Sequence, residues 1–155
     1  MARALVTNRP EYTPDKANRL IAAMTNALPN SMADASVLVP GTAPQGLSLP
    51  DPKDVHVLAA AIQAGCSTII TFDLKHFPAG PLQACVPPMV AVHPDVFLVQ
   101  LLIGDAAPVL AVIDDVRKSL NKSPKSVSAY AAGLEGANLP LTAELLRNLL
   151  RNDQG

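Results

Sequence analysis

Two aspartates and a histidine near the middle of the chain are the residues best suited to chemistry. Asp54 opens a predicted helix, and Asp73 and His76 come directly after a predicted strand over residues 67–71. In open α/β sheets, ligands collect at the carboxyl ends of strands. Carboxylates at a helix start and just beyond a neighbouring strand can hold a divalent metal ion. The pattern therefore predicts a metal site at this place.

Each of these residues also has an ordinary structural interpretation. Asp54 can be a helix N-cap, and Asp73 can be a turn-forming residue. His76 is nearer the predicted site than the other histidines. It could contact the metal or the substrate, or it could have no role there, and the sequence favours neither interpretation. His56 is expected to be exposed or hydrogen-bonded in the core rather than a ligand. Asp51 is interpreted as part of the polar turn before the helix.

The elements that must position these residues form an α/β unit. The helix after Asp54 ends at Gly65, and residues 67–71 are β-branched and uncharged, which predicts a strand covered on both faces. Cys66 is interpreted as a small buried hydrophobe beside this strand. A second strand is predicted over residues 89–92. The predicted packing face of the helix consists of apolar residues at helical spacing: Val57, Leu58, Ala61 and Ile62.

Helices are predicted on both sides of this unit. Residues 13–15, Thr-Pro-Asp, are typical of a helix start with Thr13 as N-cap. A short strand is predicted over residues 37–39, and residues 93–95 cap a helix after the second strand. The remaining predicted helices begin at Asp105, Ser126 and Thr142, and the first of them is expected to bury Val112 and Val116.

Composition limits the class of protein. The chain has 155 residues, of which 49% are hydrophobic and 16% charged, as in one globular domain. A net charge of −1, 3% aromatic residues and no Trp give no sign of a strongly basic surface or of a stacking platform for nucleic acid. Two cysteines make no disulfide framework, so a cytoplasmic setting is expected. The apolar run over residues 96–113 is interpreted as two packed helices, and no membrane partner is expected.

The central stretch resembles the PIN domain, the metal-dependent nuclease fold of VapBC-type toxins. The matching segments are DVHVLAAA at residues 54–61 and TFDLKHFP at residues 71–78, and the resemblance extends from about Arg3 through the helical tail. It implies an α/β fold with a shortened PIN-like parallel sheet flanked by helices. This truncated domain is expected over residues 1–103, with an α-helical carboxyl-terminal extension over residues 104–155.

The resemblance also implies an activity and the residues that perform it. PIN-domain toxins hydrolyse RNA phosphodiester bonds with Mg²⁺ or Mn²⁺ held by acidic residues. Asp54 and Asp73 match metal carboxylates, Thr71 matches a polar position that helps to hold the site, and His76 stands where many relatives have an acid. These four residues form the predicted catalytic set. By resemblance, the chain is a divalent-metal-dependent endoribonuclease, the toxin of a toxin–antitoxin system, with RNA as substrate and a small antitoxin protein as partner.

The front of the family's domain has no counterpart in this sequence. A complete PIN domain begins with a strand that ends in an essential Asp, followed by a helix that carries a Glu. Residues 1–5 align just beyond that Glu, so roughly the first 45 residues of a standard domain are expected to be absent. The alternative interpretation is therefore a catalytically weakened or inactive PIN-like protein that binds RNA, an antitoxin or a second chain. Because a missing strand leaves an open sheet edge, a homodimer is one such arrangement.

Overall fold

The structure is a computed structural model, and it describes three segments of the chain: residues 13–27, 48–119 and 125–152. The first segment lies in one compact unit, Met1–Ala43, and the other two lie in a second, Pro44–Gly155. The strand predicted over residues 37–39 falls outside the described segments. The domain boundary predicted between residues 103 and 104 stays a prediction.

The first unit contributes one described helix, α1 (Pro14–Ala27). Thr13 begins it as predicted, because its hydroxyl accepts the backbone N–H of Lys16 at 3.3 Å and its carbonyl accepts that of Ala17 at 2.9 Å. Proline at the first helical position needs no N–H partner. Ala17 is buried, whereas Leu20 is exposed.

The second unit begins with the predicted α/β unit. A short 3₁₀ turn, Pro52–Asp54, leads into helix α2 (Val55–Gln63), and strand β1 (Thr68–Ile70) follows. Gly65 ends α2 in the left-handed conformation, with φ of +65°, that favours glycine. The prediction that Cys66 is buried is wrong. Its side chain is exposed because it lies on the turn that leaves the helix and not within the strand.

The two strands form a parallel pair, so both end at the same edge of the sheet. Strand β1 is bonded to β2 (Val90–Val92). The register pairs Thr68 with Val90, Ile69 with Ala91 and Ile70 with Val92. Ile69 is 7% exposed but Ile70 is 48% exposed. Successive side chains of a strand point to opposite faces of the sheet. Among the described residues, β1 is therefore packed on the face of Ile69 and exposed on the face of Ile70. The prediction that β1 is covered on both faces is wrong.

One hydrophobic core holds α2 against the sheet. Leu58 is fully buried, and burying such a side chain stabilises the fold by roughly 1.5–3 kcal/mol. A short helix, α3 (Ala79–Gln83), contributes Leu82 and was not predicted. The buried cluster consists of Leu49, Leu58, Ile69, Phe77, Leu82, Cys85 and Met89, and the half-buried residues that pack against it include Val57, Ala61 and Ile62. The predicted packing face of α2 is therefore confirmed.

The carboxyl-terminal part of the described chain is helical. Its helices are α4 (Pro94–Gly104), α5 (Ala106–Ser119), α6 (Val127–Gly136) and α7 (Pro140–Asn152). Helix α7 packs against both α4 and α6, and α4 also packs against α5. The apolar run over residues 96–113 thus forms two helices, as predicted. None of the described helices combines the length and the apolar character that a membrane crossing requires.

Two of these helices begin where the sequence predicts. His93 Nδ1 accepts the backbone N–H of Asp95 at 3.2 Å at the start of α4, and the Ser126 hydroxyl accepts a backbone N–H at 3.1 Å at the start of α6. The predicted start of α7 at Thr142 is wrong. The helix begins at Pro140, whose ring presets the helical backbone angle. The predicted fold class, a small parallel sheet flanked by helices with a helical carboxyl-terminal part, is confirmed.

Helix α5 is less buried than predicted. Val112 and Val116, expected to face inside, are 61% and 39% exposed. They line an apolar groove of about 410 Å³ between α4, α5 and α6 that also holds Leu101 and Leu134. The sequence indicates the apolar face of α5 correctly. The sequence does not indicate how this face is covered. Among the described residues, it lines a groove and is not packed into a filled core.

Candidate metal centre

Polar side chains from α2 and from the turn after β1 meet at the carboxyl edge of the sheet. Nδ1 of His76 lies 2.9 Å from Oδ2 of Asp54 and 3.6 Å from Oδ2 of Asp73. All three side chains are partly exposed, Asp73 the most at 47%. The structure therefore places both predicted carboxylates against the same histidine ring, at an edge that solvent reaches.

Asp54 is positioned by the 3₁₀ turn that precedes α2. Asp51 begins this turn, and its carboxylate accepts the backbone N–H of Lys53 at 2.8 Å. The backbone N–H of Asp54 then bonds to the Asp51 carbonyl at 3.0 Å. Within the described residues, the Asp54 side chain makes no capping hydrogen bond at the start of α2. The N-cap interpretation therefore does not account for this carboxylate, which contacts His76 instead.

Thr71 positions the residues that follow the strand. Its backbone N–H bonds to the Val92 carbonyl at 3.0 Å, which ties it to β2. Its hydroxyl accepts the backbone N–H of Asp73 at 3.1 Å, a local turn that serine and threonine commonly form. Asp73 begins the 3₁₀ turn Leu74–His76, and its side chain makes no capping bond within the described segments. Thr71 is thus placed as a positioning residue for Asp73.

Asp51 is a candidate ligand that the sequence reasoning missed. One ligand atom each of Asp51, Asp54 and His76 lies within 4.8 Å of the other two. Asp51 had been interpreted only as part of the polar turn. The available signal was its spacing from Asp54, since residues three apart on a helical turn lie on the same side. Asp73 lies outside this group, which contains only Asp54 of the predicted metal pair, Asp54 and Asp73.

The donor set fits a divalent cation. Ligand atoms held about 2.0–2.1 Å from Mg²⁺ at right angles to each other lie about 3 Å apart. That separation is close to the 2.9 Å between His76 Nδ1 and Asp54 Oδ2. Carboxylate oxygens suit both Mg²⁺ and Mn²⁺, whereas imidazole nitrogen bonds to first-row transition ions, Mn²⁺ among them, more readily than to Mg²⁺. The same two side chains can therefore share a metal ion or, when no ion is bound and His76 is protonated, form an ion pair with each other.

The other two histidines have different surroundings. His56 is exposed, as expected, and its Nδ1 is hydrogen-bonded to the carbonyl oxygen of Lys53. His93, besides capping α4, meets the ring of Phe72 edge to face, with ring centroids 5.1 Å apart. Phe72 follows β1 and is 57% exposed. Neither histidine belongs to the group of possible metal ligands found among the described residues.

A second polar cluster is buried and joins α4 to α7. Asp95 is 3% exposed, and its carboxylate accepts the backbone N–H groups of Leu141 at 2.9 Å and Thr142 at 2.8 Å, and the Thr142 hydroxyl at 2.7 Å. Burial by itself would raise the pKa of Asp95, but these hydrogen bonds hold the pKa below its ordinary value. Because the first N–H groups of a helix have no partner within it, Asp95 acts as a cap for α7.

Comparison with known proteins finds a similarity in the carboxyl-terminal part of the chain. Residues 94–148 match the model of the VapC50 C-terminal domain. The protein named "Putative ribonuclease VapC50" of Mycobacterium tuberculosis is 46% identical over 50 residues, which cover 32% of this chain and 28% of that protein. No solved structure matches the chain. These matches support the predicted resemblance to VapC-type proteins, and the chain spans less than a third of the length of that relative.

The family match and the candidate metal centre occupy different parts of the chain. The match begins at residue 94, whereas Asp51, Asp54, Asp73 and His76 all precede it. The buried cap formed by Asp95 and Thr142 lies inside the matched region. The assignment of the metal centre therefore depends on its own geometry and on the resemblance of residues 54–78.

Proposed function

We propose that this chain is a divalent-metal-dependent endoribonuclease, the toxin component of a toxin–antitoxin system, which hydrolyses RNA phosphodiester bonds. The observation that carries the proposal is the meeting of Asp54 and Asp73 at His76, with separations of 2.9 and 3.6 Å, at the carboxyl edge of the sheet. The name of the VapC50 relative supports the same activity.

Each residue of the centre has a definite task in this proposal. Asp54 and Asp73 hold Mg²⁺ or Mn²⁺, and Asp51 is near enough to Asp54 to assist. The bound ion neutralises phosphate charge and lowers the pKa of an attacking water. Thr71 fixes the backbone of Asp73 through its hydroxyl. His76 lines the site beside the Asp54 carboxylate, with Nδ1 2.9 Å from Oδ2.

The exposure of the site suits the proposed partners. The Asp73 side chain is 47% exposed, so an RNA phosphate can approach the carboxylates from solvent. A small antitoxin protein that covers this edge would block the same approach. A cytoplasmic location belongs to the same proposal, because the substrate proposed for the toxin is cellular RNA. A homodimer, in which a second chain adds ligands or a strand at the edge of β1 that is not paired with β2 among the described residues, belongs to the same proposal.

A second function is favoured by the contact between His76 and Asp54. If His76 is protonated, the pair is satisfied without a metal ion, and the edge becomes a structural feature rather than a catalytic one. The chain would then bind RNA, an antitoxin or a second chain without cleavage. RNA binding that persists in the absence of any metal-dependent cleavage would favour this function over the first.

Cleavage of RNA by the purified full chain tests the proposal. The reaction is run with Mg²⁺ or Mn²⁺ and again with EDTA, for the natural sequence, Asp54→Asn and Asp73→Asn. Asp115→Asn is the control, because Asp115 is an exposed carboxylate on α5 outside the cluster. We expect cleavage that EDTA abolishes, a loss of roughly a hundredfold in the two site variants and no loss in the control. Cleavage that survives EDTA, or that both site variants retain, would overturn it.

A further inference from the structure

We propose that His76 is itself a metal ligand through Nδ1 and that it gives this centre a preference for Mn²⁺ over Mg²⁺. The inference rests on the proposed metal-dependent function and identifies the ion and one ligand of that site.

The position of the ring supports a ligand role. Nδ1 is the ring atom that faces the carboxylates, 2.9 Å from Asp54 and 3.6 Å from Asp73. The 2.9 Å separation from Asp54 suits two ligand atoms on adjacent corners of an octahedron. His76 also belongs to the group in which one ligand atom each of Asp51, Asp54 and His76 lies within 4.8 Å of the other two. A single ion can therefore contact the ring together with a carboxylate from the start of α2.

The backbone holds His76 at this place. Its N–H bonds to the Asp73 carbonyl at 3.2 Å, which closes the 3₁₀ turn after β1. The next residue, Phe77, is 7% exposed and belongs to the core cluster with Leu58. Because the chain is anchored immediately after His76, the imidazole is presented by a packed element and not by a free loop.

The chemistry of the donors sets the metal preference. Mg²⁺ takes oxygen ligands in near-ideal octahedral geometry and gives up its waters reluctantly. Imidazole suits transition metals better than it suits Mg²⁺. Asp51 and Asp54 offer oxygens that serve either ion, so they do not discriminate. The nitrogen of His76 is the donor that favours Mn²⁺.

Pulsed electron paramagnetic resonance of Mn²⁺ added to the full chain tests this assignment directly, because it detects a nitrogen atom bonded to the ion. Calorimetric titration with Mn²⁺ and with Mg²⁺ gives the two affinities. The variants are His76→Ala and His76→Asp. The control is His56→Ala. His56 lies two residues after Asp54 in the sequence, but its Nδ1 is hydrogen-bonded to the Lys53 carbonyl oxygen, and it does not belong to the group of possible metal ligands found among the described residues.

We expect nitrogen coupling in the natural sequence and in His56→Ala, and none in either His76 variant. His76→Ala should weaken Mn²⁺ binding by roughly tenfold or more, since loss of a residue that merely supports a ligand commonly costs about 10–100-fold. His76→Asp should reduce the ratio of Mn²⁺ to Mg²⁺ affinity.

The outcomes separate this inference from the function on which it rests. Mn²⁺ binding without nitrogen coupling overturns the role of His76 and leaves a metal-dependent nuclease in place. Nitrogen coupling in a chain that cleaves no RNA supports the ligand assignment and overturns the nuclease. Failure of the chain to bind Mn²⁺ overturns both.

Discussion

Nδ1 of His76 lies 2.9 Å from Oδ2 of Asp54, although the two residues belong to different elements. Asp54 ends the 3₁₀ turn before α2, and His76 ends the one after β1. Both elements pack into one core, in which Leu58 and Ile69 are buried. The contact is therefore set by the packing of α2 on the sheet, and it brings a carboxylate and an imidazole close enough to share a ligand.

Replacement of Asp51 by serine should separate its two possible roles. Serine can also begin a helical turn through its hydroxyl, so the bond that Asp51 makes to the Lys53 N–H has a substitute. The carboxylate, however, is lost. We expect Asp51→Ser to leave the melting temperature nearly unchanged while Mn²⁺ binding weakens by roughly tenfold. Unchanged Mn²⁺ affinity, measured by calorimetry, would show that Asp51 only caps the turn.

Removal of the Thr71 hydroxyl should impair the site more than the fold. Thr71→Val keeps the shape of the side chain but removes the acceptor for the Asp73 N–H. A neutral hydrogen bond of this kind contributes about 0.5–1.5 kcal/mol, so kcat/KM for RNA should fall by up to about tenfold. Thr71→Ser keeps the hydroxyl and should retain most of the activity. Equal activity of the valine and serine variants would contradict a positioning role.

The buried contact between Asp95 and Thr142 should be important for stability. The Thr142 hydroxyl bonds to the Asp95 carboxylate at 2.7 Å, and both residues are at most 3% exposed. Hydrogen bonds to charged groups contribute about 1.5–3 kcal/mol, so Thr142→Val should lower the free energy of unfolding in urea by that amount. Thr142→Ser should lower it much less. Asp115→Asn, on the surface of α5, should change it by less than about 0.5 kcal/mol.

Stability should also fall in acid because of Asp95. Burial raises the pKa of this carboxyl, but hydrogen bonds from Thr142 and Leu141 outweigh burial and hold the pKa below its ordinary value. The stabilisation is then complete above the unfolded pKa of about 3.9 and is lost as the pH falls through the folded pKa. Urea unfolding below about pH 4 should show a steeper loss in the natural sequence than in Asp95→Asn. Parallel profiles would contradict this origin of the acid sensitivity.

Local signals in the sequence predicted the central α/β unit well. The apolar face of α2, its end at Gly65 and the two strands all follow from periodicity, glycine and β-branched residues, which act over a few neighbouring positions. The exposure of Ile70 was not predictable in this way, because it depends on which face of the sheet is packed, and that of Cys66 depends on the path of the turn after α2. Burial is decided by the tertiary arrangement, which a short stretch of sequence does not contain.

The same distinction applies to polar clusters. Asp54, Asp73 and His76 were predicted from a helix start and a strand end, because ligands collect at the carboxyl ends of strands in open α/β sheets, and Thr71 was implied by the resemblance to the PIN domain. The cap that Asp95 provides for α7 was missed, since its partner, Thr142, is remote in sequence and looked like an ordinary N-cap.

Metal activation of RNA cleavage, measured beside metal binding on the same sample, tests the central claim most directly. Cleavage rate and Mn²⁺ occupancy are followed over one titration, for the natural sequence and for Asp54→Asn. We predict that cleavage rises in parallel with occupancy in the natural sequence, and that both curves shift to much higher Mn²⁺ concentration in the variant. Saturation of the chain with Mn²⁺ without any RNA cleavage would contradict the claim, as would cleavage that does not follow occupancy.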